Sequence, residues 1–284
     1  MRYYAKAANT NQIIDRIKRH ADGIEIQMLS KSQEIDSSLC DIVSVHAPIF
    51  RGQDTCFDLA LLGCLGVVAD CTDSRNLVAA FSLAEKIACE QNHNVAVIAH
   101  VNQVIFYRSA QEYADYVSAL LYRYPHTTLL LEHNTAISSS FGTRGVWSCT
   151  DLPNFVLEIK SKLRSDLHDR FGTVLDVCHA LGNIRLRNLL ESNEFIINPE
   201  YERAELRKWF AAFSTSCMLI HLNWGEKTTS GVGHGTVPPD YVYRDIKRMI
   251  DTYLPEALLV LEVQEQDVDK AVNFSRFLEV IHNA

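Results

Sequence analysis

Residues 173–182 read TVLDVCHALG. Thr173–Val177 is a short apolar run of the kind that forms a strand buried on both faces, yet it carries Asp176 near its carboxyl end. Burying an unpaired carboxylate is costly, so an aspartate in that place implies something for it to bind. His179 follows three residues later. The same arrangement, an apolar run closed by an ionisable residue, recurs on both sides. Toward the N-terminus, Thr127–Leu131 is followed by Glu132, Val95–Ala99 by His100, and Asp41–Val45 by His46. Toward the C-terminus, Cys217–Leu222 contains His221 and Ala257–Val263 contains Glu262. Two earlier runs, Tyr3–Ala8 and Gly23–Leu29, complete the set, the second carrying Glu25.

Between these runs the apolar period changes from strand-like to helical. Thr10 is read as an N-cap, with Ile13, Ile14 and Ile17 forming one helical face behind it. Further helices are expected over Leu77–Cys89, Tyr107–Tyr122, Phe155–Leu167, Tyr201–Phe213, Tyr241–Tyr253 and Asp267–Ile281. Strands alternating with helices mean βα units and a parallel sheet, and eight of them favour a closed (β/α)8 TIM barrel over an open doubly wound sheet. No GxGxxG follows the first strand, which removes support from a dinucleotide-binding fold. No linker, low-complexity tract or repeat divides the 284 residues, so residues 1–284 are expected to be one domain of the α/β class.

The composition, 47% hydrophobic and 22% charged, is that of a soluble globular protein. A net charge of −8 and the lack of a basic stripe weigh against nucleic acid as a partner; the nearest feature is the scatter of Arg164, Arg170, Arg185 and Arg187. The eight cysteines form no CxxC pair and mostly lie in apolar runs, which fits a reducing, cytoplasmic compartment. The first residues lack the apolar core of a signal peptide, and no apolar run is long enough to span a bilayer. Trp209 and Trp224 read as exposed aromatics that would sit in an interface or pack locally, so a homo-oligomer stays open.

Active sites of (β/α)8 barrels lie at the carboxyl ends of the strands. Six consecutive strands here aim His46, His100, Glu132, Asp176 with His179, His221 and Glu262 at that one mouth. Mixed carboxylates and imidazoles suit zinc, manganese, iron or cobalt, whereas a purely carboxylate set would suit magnesium or calcium.

These residues resemble the xylose-isomerase-like, or endonuclease-IV-like, TIM barrel superfamily. That superfamily includes sugar and sugar-phosphate isomerases and epimerases, inosose-type dehydratases and apurinic endonucleases. The resemblance spans essentially the whole chain and rests on VHAP (45–48), LLLEHNT (129–135), LDVCHALG (175–182), IHLN (220–223) and GHGTV (233–237). It implies that Glu132, Asp176, His221 and Glu262 are the core metal ligands. His46 and His100 match histidines that the endonuclease branch uses for a second metal. His179 matches a residue that contacts substrate in epimerases and holds a third metal in endonucleases.

The two branches differ after strand seven. At the positions where the endonucleases place an Asp and a His, this chain has Lys227 and Thr229. His234 would substitute under another threading, but an acidic partner is missing. IFRGQD (49–54) also replaces the endonucleases' aromatic-and-Asn segment. Lys227, six residues after His221, instead matches the basic residue of the epimerase loop. One departure touches the core: His133 is inserted between Glu132 and Asn134, and strand alternation turns it away from the site.

The resemblance therefore implies a divalent-metal-dependent isomerase or epimerase acting on a sugar, sugar phosphate or related polyol. Glu132 and Glu262 would move protons, and His179, Lys227, Glu25 and His234 would contact substrate. The alternatives are an endonuclease-IV-like phosphodiesterase acting on abasic DNA and a metal-binding barrel without catalysis.

Overall fold

A computed structural model describes residues 2–29, 33–48, 74–101, 109–133, 147–192, 198–228, 231–265, 267 and 269–283, without the side chains of 74–76, 226–228 and 231–234. The described strands are β1 (Tyr3–Ala7), β2 (Gly23–Gln27), β3 (Ile42–His46), β4 (Val95–Val101), β5 (Thr127–His133), β6 (Phe171–Asp176), β7 (Cys217–Leu222), β8 (Trp224–Thr228), β9 (Gly231–Thr236) and β10 (Leu258–Leu261). Eight of them close a barrel in the order β1-β10-β7-β6-β5-β4-β3-β2, every pair parallel, with β1 bonded to both β10 and β2. The remaining two, β8 and β9, pair antiparallel as a hairpin after β7. Around the barrel run α1 (Thr10–Lys18), α2 (Ser74–Gln91), α3 (Ala110–Arg123), α4 (Asp151–Lys160), α5 (Val177–Ser192), α6 (Pro199–Phe213), α7 (Asp240–Tyr253) and α8 (Val272–Asn283). This is a single (β/α)8 TIM barrel, as the alternating runs predict.

Two apolar layers build it. The larger lies between the sheet and the helices. The smaller fills the barrel interior with Tyr4, Ala96, Ile98, Leu130, Val174, Leu219 and Val260. Because side chains alternate across a strand, the residue two places beyond an interior one also points inward. Those residues are Lys6, His100, Glu132, Asp176, His221 and Glu262. The packed floor of the barrel thus sets the inward aim of the polar ring above it.

Several expectations are corrected. Asn9, not Thr10, caps α1; its Oδ1 accepts from the Gln12 N–H at 2.9 Å. The helix expected over Phe155–Leu167 is α4, followed by a separate 3-10 turn over Ser165–Arg170. The start of the helix expected at Tyr107 lies outside the described residues, and α3 begins behind the Ser109 cap, which accepts from the Glu112 N–H at 3.1 Å. The strand over Thr173–Val177 ends at Asp176, where α5 begins. That helix has no sequence signature because its first nine residues, Val177–Arg185, are all buried, so no polar face marks its period. The glycine-rich stretch after His221, expected as a loop, is the β8–β9 hairpin. Trp209 is buried, 4.7 Å centre to centre from His133 and 5.9 Å from Phe213, so it packs locally. No helix among the described residues is long and apolar enough to cross a membrane.

Candidate metal centre

Register brings the polar residues at the mouth side by side. Lys6 pairs with Glu25, His100 with Glu132, and Asp176 with His221. Glu132, Asp176, His221 and Glu262 each offer a ligand atom, all within 4.8 Å of one another. His46, His100 and Glu132 form a second such group, so Glu132 belongs to both. The first three of the core four are fully buried, while the Glu262 side chain keeps 19% of its surface open at the mouth.

Local structure places each group. Asp176 ends β6 and caps α5: its Oδ1 accepts from the His179 N–H at 2.7 Å. Its Oδ2 accepts from the Asn223 side chain at 3.0 Å, and Asn223 Oδ1 in turn accepts from the Cys178 N–H at 2.9 Å. The helix start and the residue after β7 thus hold the carboxylate from two sides. His179 Nδ1 is anchored on the His133 carbonyl at 2.8 Å. His46 Nδ1 lies 2.9 Å from the Ala47 carbonyl, which assigns its proton to that nitrogen and turns the Nε2 lone pair toward His100 and Glu132. The two Nε2 atoms of His46 and His100 are 3.1 Å apart.

His221 is held between carboxylates. Its Nε2 faces Glu25, 3.1 and 3.2 Å from the two oxygens, and its Nδ1 lies 3.0 Å from Glu262 and 3.3 Å from Glu132. Glu25 is fully buried and also accepts from Ser44 Oγ at 2.8 Å. A carboxylate behind a histidine, with the other ring nitrogen facing further ligands, is the usual support of a metal-binding imidazole. Glu25, expected among the residues that meet substrate, is thus buried behind His221.

Lys6 belongs to this site, although no motif in the sequence points to it. Its Nζ lies 2.6 Å from Glu262 and 3.4 Å from Glu25. Burial works against its charge, but Glu262, Glu25 and Glu132 outweigh that and raise its pKa. Counting two residues along β1 from Tyr4, which faces the barrel interior, would have found it.

The charges are mutually dependent. Burial alone would raise the Glu132 carboxyl, but the rings of His100 and His221 hold it well below the ordinary value. Burial would lower the His221 ring, and Glu25, Glu132 and Glu262 raise it well above the ordinary value. Burial and the nearby Lys6 charge lower the His46 ring.

The donor set fits a cation. Glu132 is buried, yet neither of its oxygens makes a hydrogen bond of proper geometry, and neither does His221 Nδ1. Ring nitrogens of His46, His100, His179 and His221 stand 3.3, 3.4, 3.2 and 3.3 Å from Glu132. Buried polar atoms are normally paired, so an orphaned carboxylate ringed by imidazoles marks a place built for a further group.

Other expected residues fall elsewhere. Positions 227 and 234 lie on β8 and β9, but the side chains of Lys227 and His234 are outside the described residues, as are Thr229, Asn134 and residues 49–54. His133 is fully buried against Trp209 and Phe213, away from the mouth. All four scattered arginines are engaged within the protein, Arg164 pairing with Asp166 at 3.1 Å. Arg185 pairs with Glu202 at 2.6 and 3.0 Å, Arg170 bonds backbone carbonyls, and Arg187 reaches the Trp147 carbonyl.

Solved structures carry the same architecture. Endonuclease IV from Thermus thermophilus aligns over 100% of both chains, with a TM-score of 0.57 and 15% identity. The IolI protein with a bound zinc atom aligns over 100% of this chain and 96% of its own, with a TM-score of 0.53 and 11% identity. These likenesses show the fold, a closed (β/α)8 barrel shared with both proteins. No protein-family model matches the sequence, and no curated protein matches it. Within this fold, Glu132, Asp176, His221 and Glu262 form one candidate metal group, and Glu132 with His46 and His100 forms another.

Proposed function

We propose that the chain is a divalent-metal-dependent isomerase or epimerase, acting on a sugar, sugar phosphate or related polyol by enediolate proton transfer. The observation that carries this reading is the convergence of Glu132, Asp176, His221 and Glu262 on one spot, with Glu132 sealed and Glu262 open to the mouth. These four would hold the cation. It would polarise substrate carbonyl and hydroxyl oxygens and offset the charge of the enediolate. Zinc is bound in the IolI structure, and the mixed donor set here suits zinc, manganese, cobalt or iron.

The chain's own groups do the rest. Isomerisation takes a proton from a carbon beside a carbonyl and returns one, which calls for a positioned base on each side of the substrate. Glu132 on β5 and Glu262 just beyond β10, which approach His221 Nδ1 from separate segments, are assigned those roles. Glu25 and Ser44 keep His221 oriented. Lys6 supplies a cation at the mouth, held against Glu262, where it would meet a substrate oxygen. His179, anchored beside Glu132, would hold a second oxygen. Lys227 and His234, on the hairpin that follows Asn223, are assigned further contacts at the rim.

One observation favours a second reading, a metal-dependent phosphodiesterase acting on abasic DNA. His46 and His100 gather on the same Glu132, as a second cation would require, and clustered metals suit phosphodiester hydrolysis. The test compares wild type with Glu132→Gln, Glu262→Gln and a His46→Ala/His100→Ala double variant. Each is assayed for solvent-hydrogen exchange into sugars and sugar phosphates and for cleavage of abasic DNA. The isomerase reading expects exchange that either glutamine variant abolishes and the double variant keeps. DNA cleavage that needs both histidines would replace it with the second reading. Normal exchange in both glutamine variants would overturn the assignment of the bases.

A further inference from the structure

We propose that Glu85, Cys89 and His126 form a separate zinc-binding site on the opposite face of the barrel, at the amino ends of the strands. The first two are on α2, four residues apart, so they stand one turn above the other on one side of the helix. His126 lies in the turn between α3 and β5. One ligand atom from each of the three comes within 4.8 Å of the others.

The turn that presents His126 is held firmly. Its backbone N–H donates to Glu85 Oε2 at 3.0 Å, and its carbonyl accepts from the Val95 N–H at 3.2 Å. Arg170 binds the carbonyls of Thr127 and Leu121, both at 2.9 Å, and that of Tyr124. Thr127 Oγ1 also donates to the Tyr124 carbonyl at 2.9 Å. With the backbone committed, the attachment point of the ring is fixed relative to α2, which lowers the entropy lost when a ligand set closes.

The donors are a thiol, an imidazole and a carboxylate, the mixed set that zinc accepts. Zinc bonds of about 2.0–2.3 Å would draw the three together by modest side-chain rotation and leave a fourth position to water. Cys89 is the exposed one among the described cysteines, and His126 is exposed as well, so an ion can reach them. The site ties α2 to the turn before β5 and is independent of the chemistry at the mouth.

Sulfur makes the test specific, because neither candidate group at the mouth contains cysteine. Cobalt(II) is added to the metal-free full-length chain and the near-ultraviolet thiolate-to-cobalt absorption is read. The expected result is a band in wild type and in Asp176→Asn, lost in Cys89→Ser. In His126→Gln, affinity for cobalt at this site falls about tenfold or more. No such band in wild type, or a band of equal intensity in Cys89→Ser, would overturn the proposal. Circular dichroism of the exposed-site variants should match wild type.

Discussion

At the residue scale the centre is a set of groups that stabilise one another's charge. Glu132 stays ionised although buried because imidazoles surround it, and His221 takes up a proton readily because three carboxylates do. Replacing Glu132 or Glu262 by glutamine keeps size and removes charge, and turnover is expected to fall about 10²–10⁴-fold with the fold intact, read by steady-state kinetics beside circular dichroism. Lys6→Met is expected to lower turnover while leaving metal content unchanged; equal turnover would remove Lys6 from the mechanism. His133 gives a different prediction. Burial pushes its ring down to about 3 from an ordinary 6.5, so the folded state holds it neutral. The unfolded chain therefore binds the extra proton between those values, and stability falls as pH drops from 6.5 toward about 3. The full penalty approaches roughly 4–5 kcal/mol at about 1.36 kcal/mol per pKa unit. His133→Leu should shift the acid-unfolding midpoint to lower pH; an unchanged midpoint would mean that His133 does not drive that limb.

At the element scale, strands aim the site and their ends supply it. Gly235 in β9 has φ +79°, a conformation that favours glycine, and its carbonyl accepts from the Gln264 N–H at 2.7 Å. An added Cβ would stand 2.8 Å from that nitrogen. Gly235→Ala is expected to cost about 1–3 kcal/mol in urea unfolding and to lower activity, since it displaces the hairpin from the segment that carries Glu262. The site is legible in the sequence where an apolar run meets a polar strand end, which is why His100, Glu132, Asp176 and His221 stand out from the residues alone. The sequence is silent where burial removes periodicity, as in α5, and where a polar residue sits inside a strand with no unusual neighbours, as Lys6 does. Glu25 is placed on its strand by the alternation but not in its role, because only the folded barrel puts it behind His221.

At the scale of the whole molecule, the barrel interior is a packed apolar floor beneath one polar mouth. Placing several carboxylates and histidines together in a buried ring costs free energy that a bound cation would offset. Metal removal is therefore expected to destabilise the entire chain. A free metal concentration of about 100 times Kd corresponds to roughly 2.7 kcal/mol, so chelation should lower the calorimetric Tm by several degrees and metal return should restore it. An unchanged Tm would mean that no ion couples to folding.

The proposed chemistry depends on Glu132, Asp176, His221 and Glu262 holding a divalent metal. The most direct measurement is metal content by mass spectrometry on protein purified without chelator, in a Cys89→Ser background so that the opposite face contributes nothing. Chains with intact mouths are compared with chains that also carry Asp176→Ala and His221→Ala. At least one metal per chain is expected with the mouth intact, lost in the doubly substituted mouth while circular dichroism still shows the barrel. Equal metal content in both, or none in either, would contradict it.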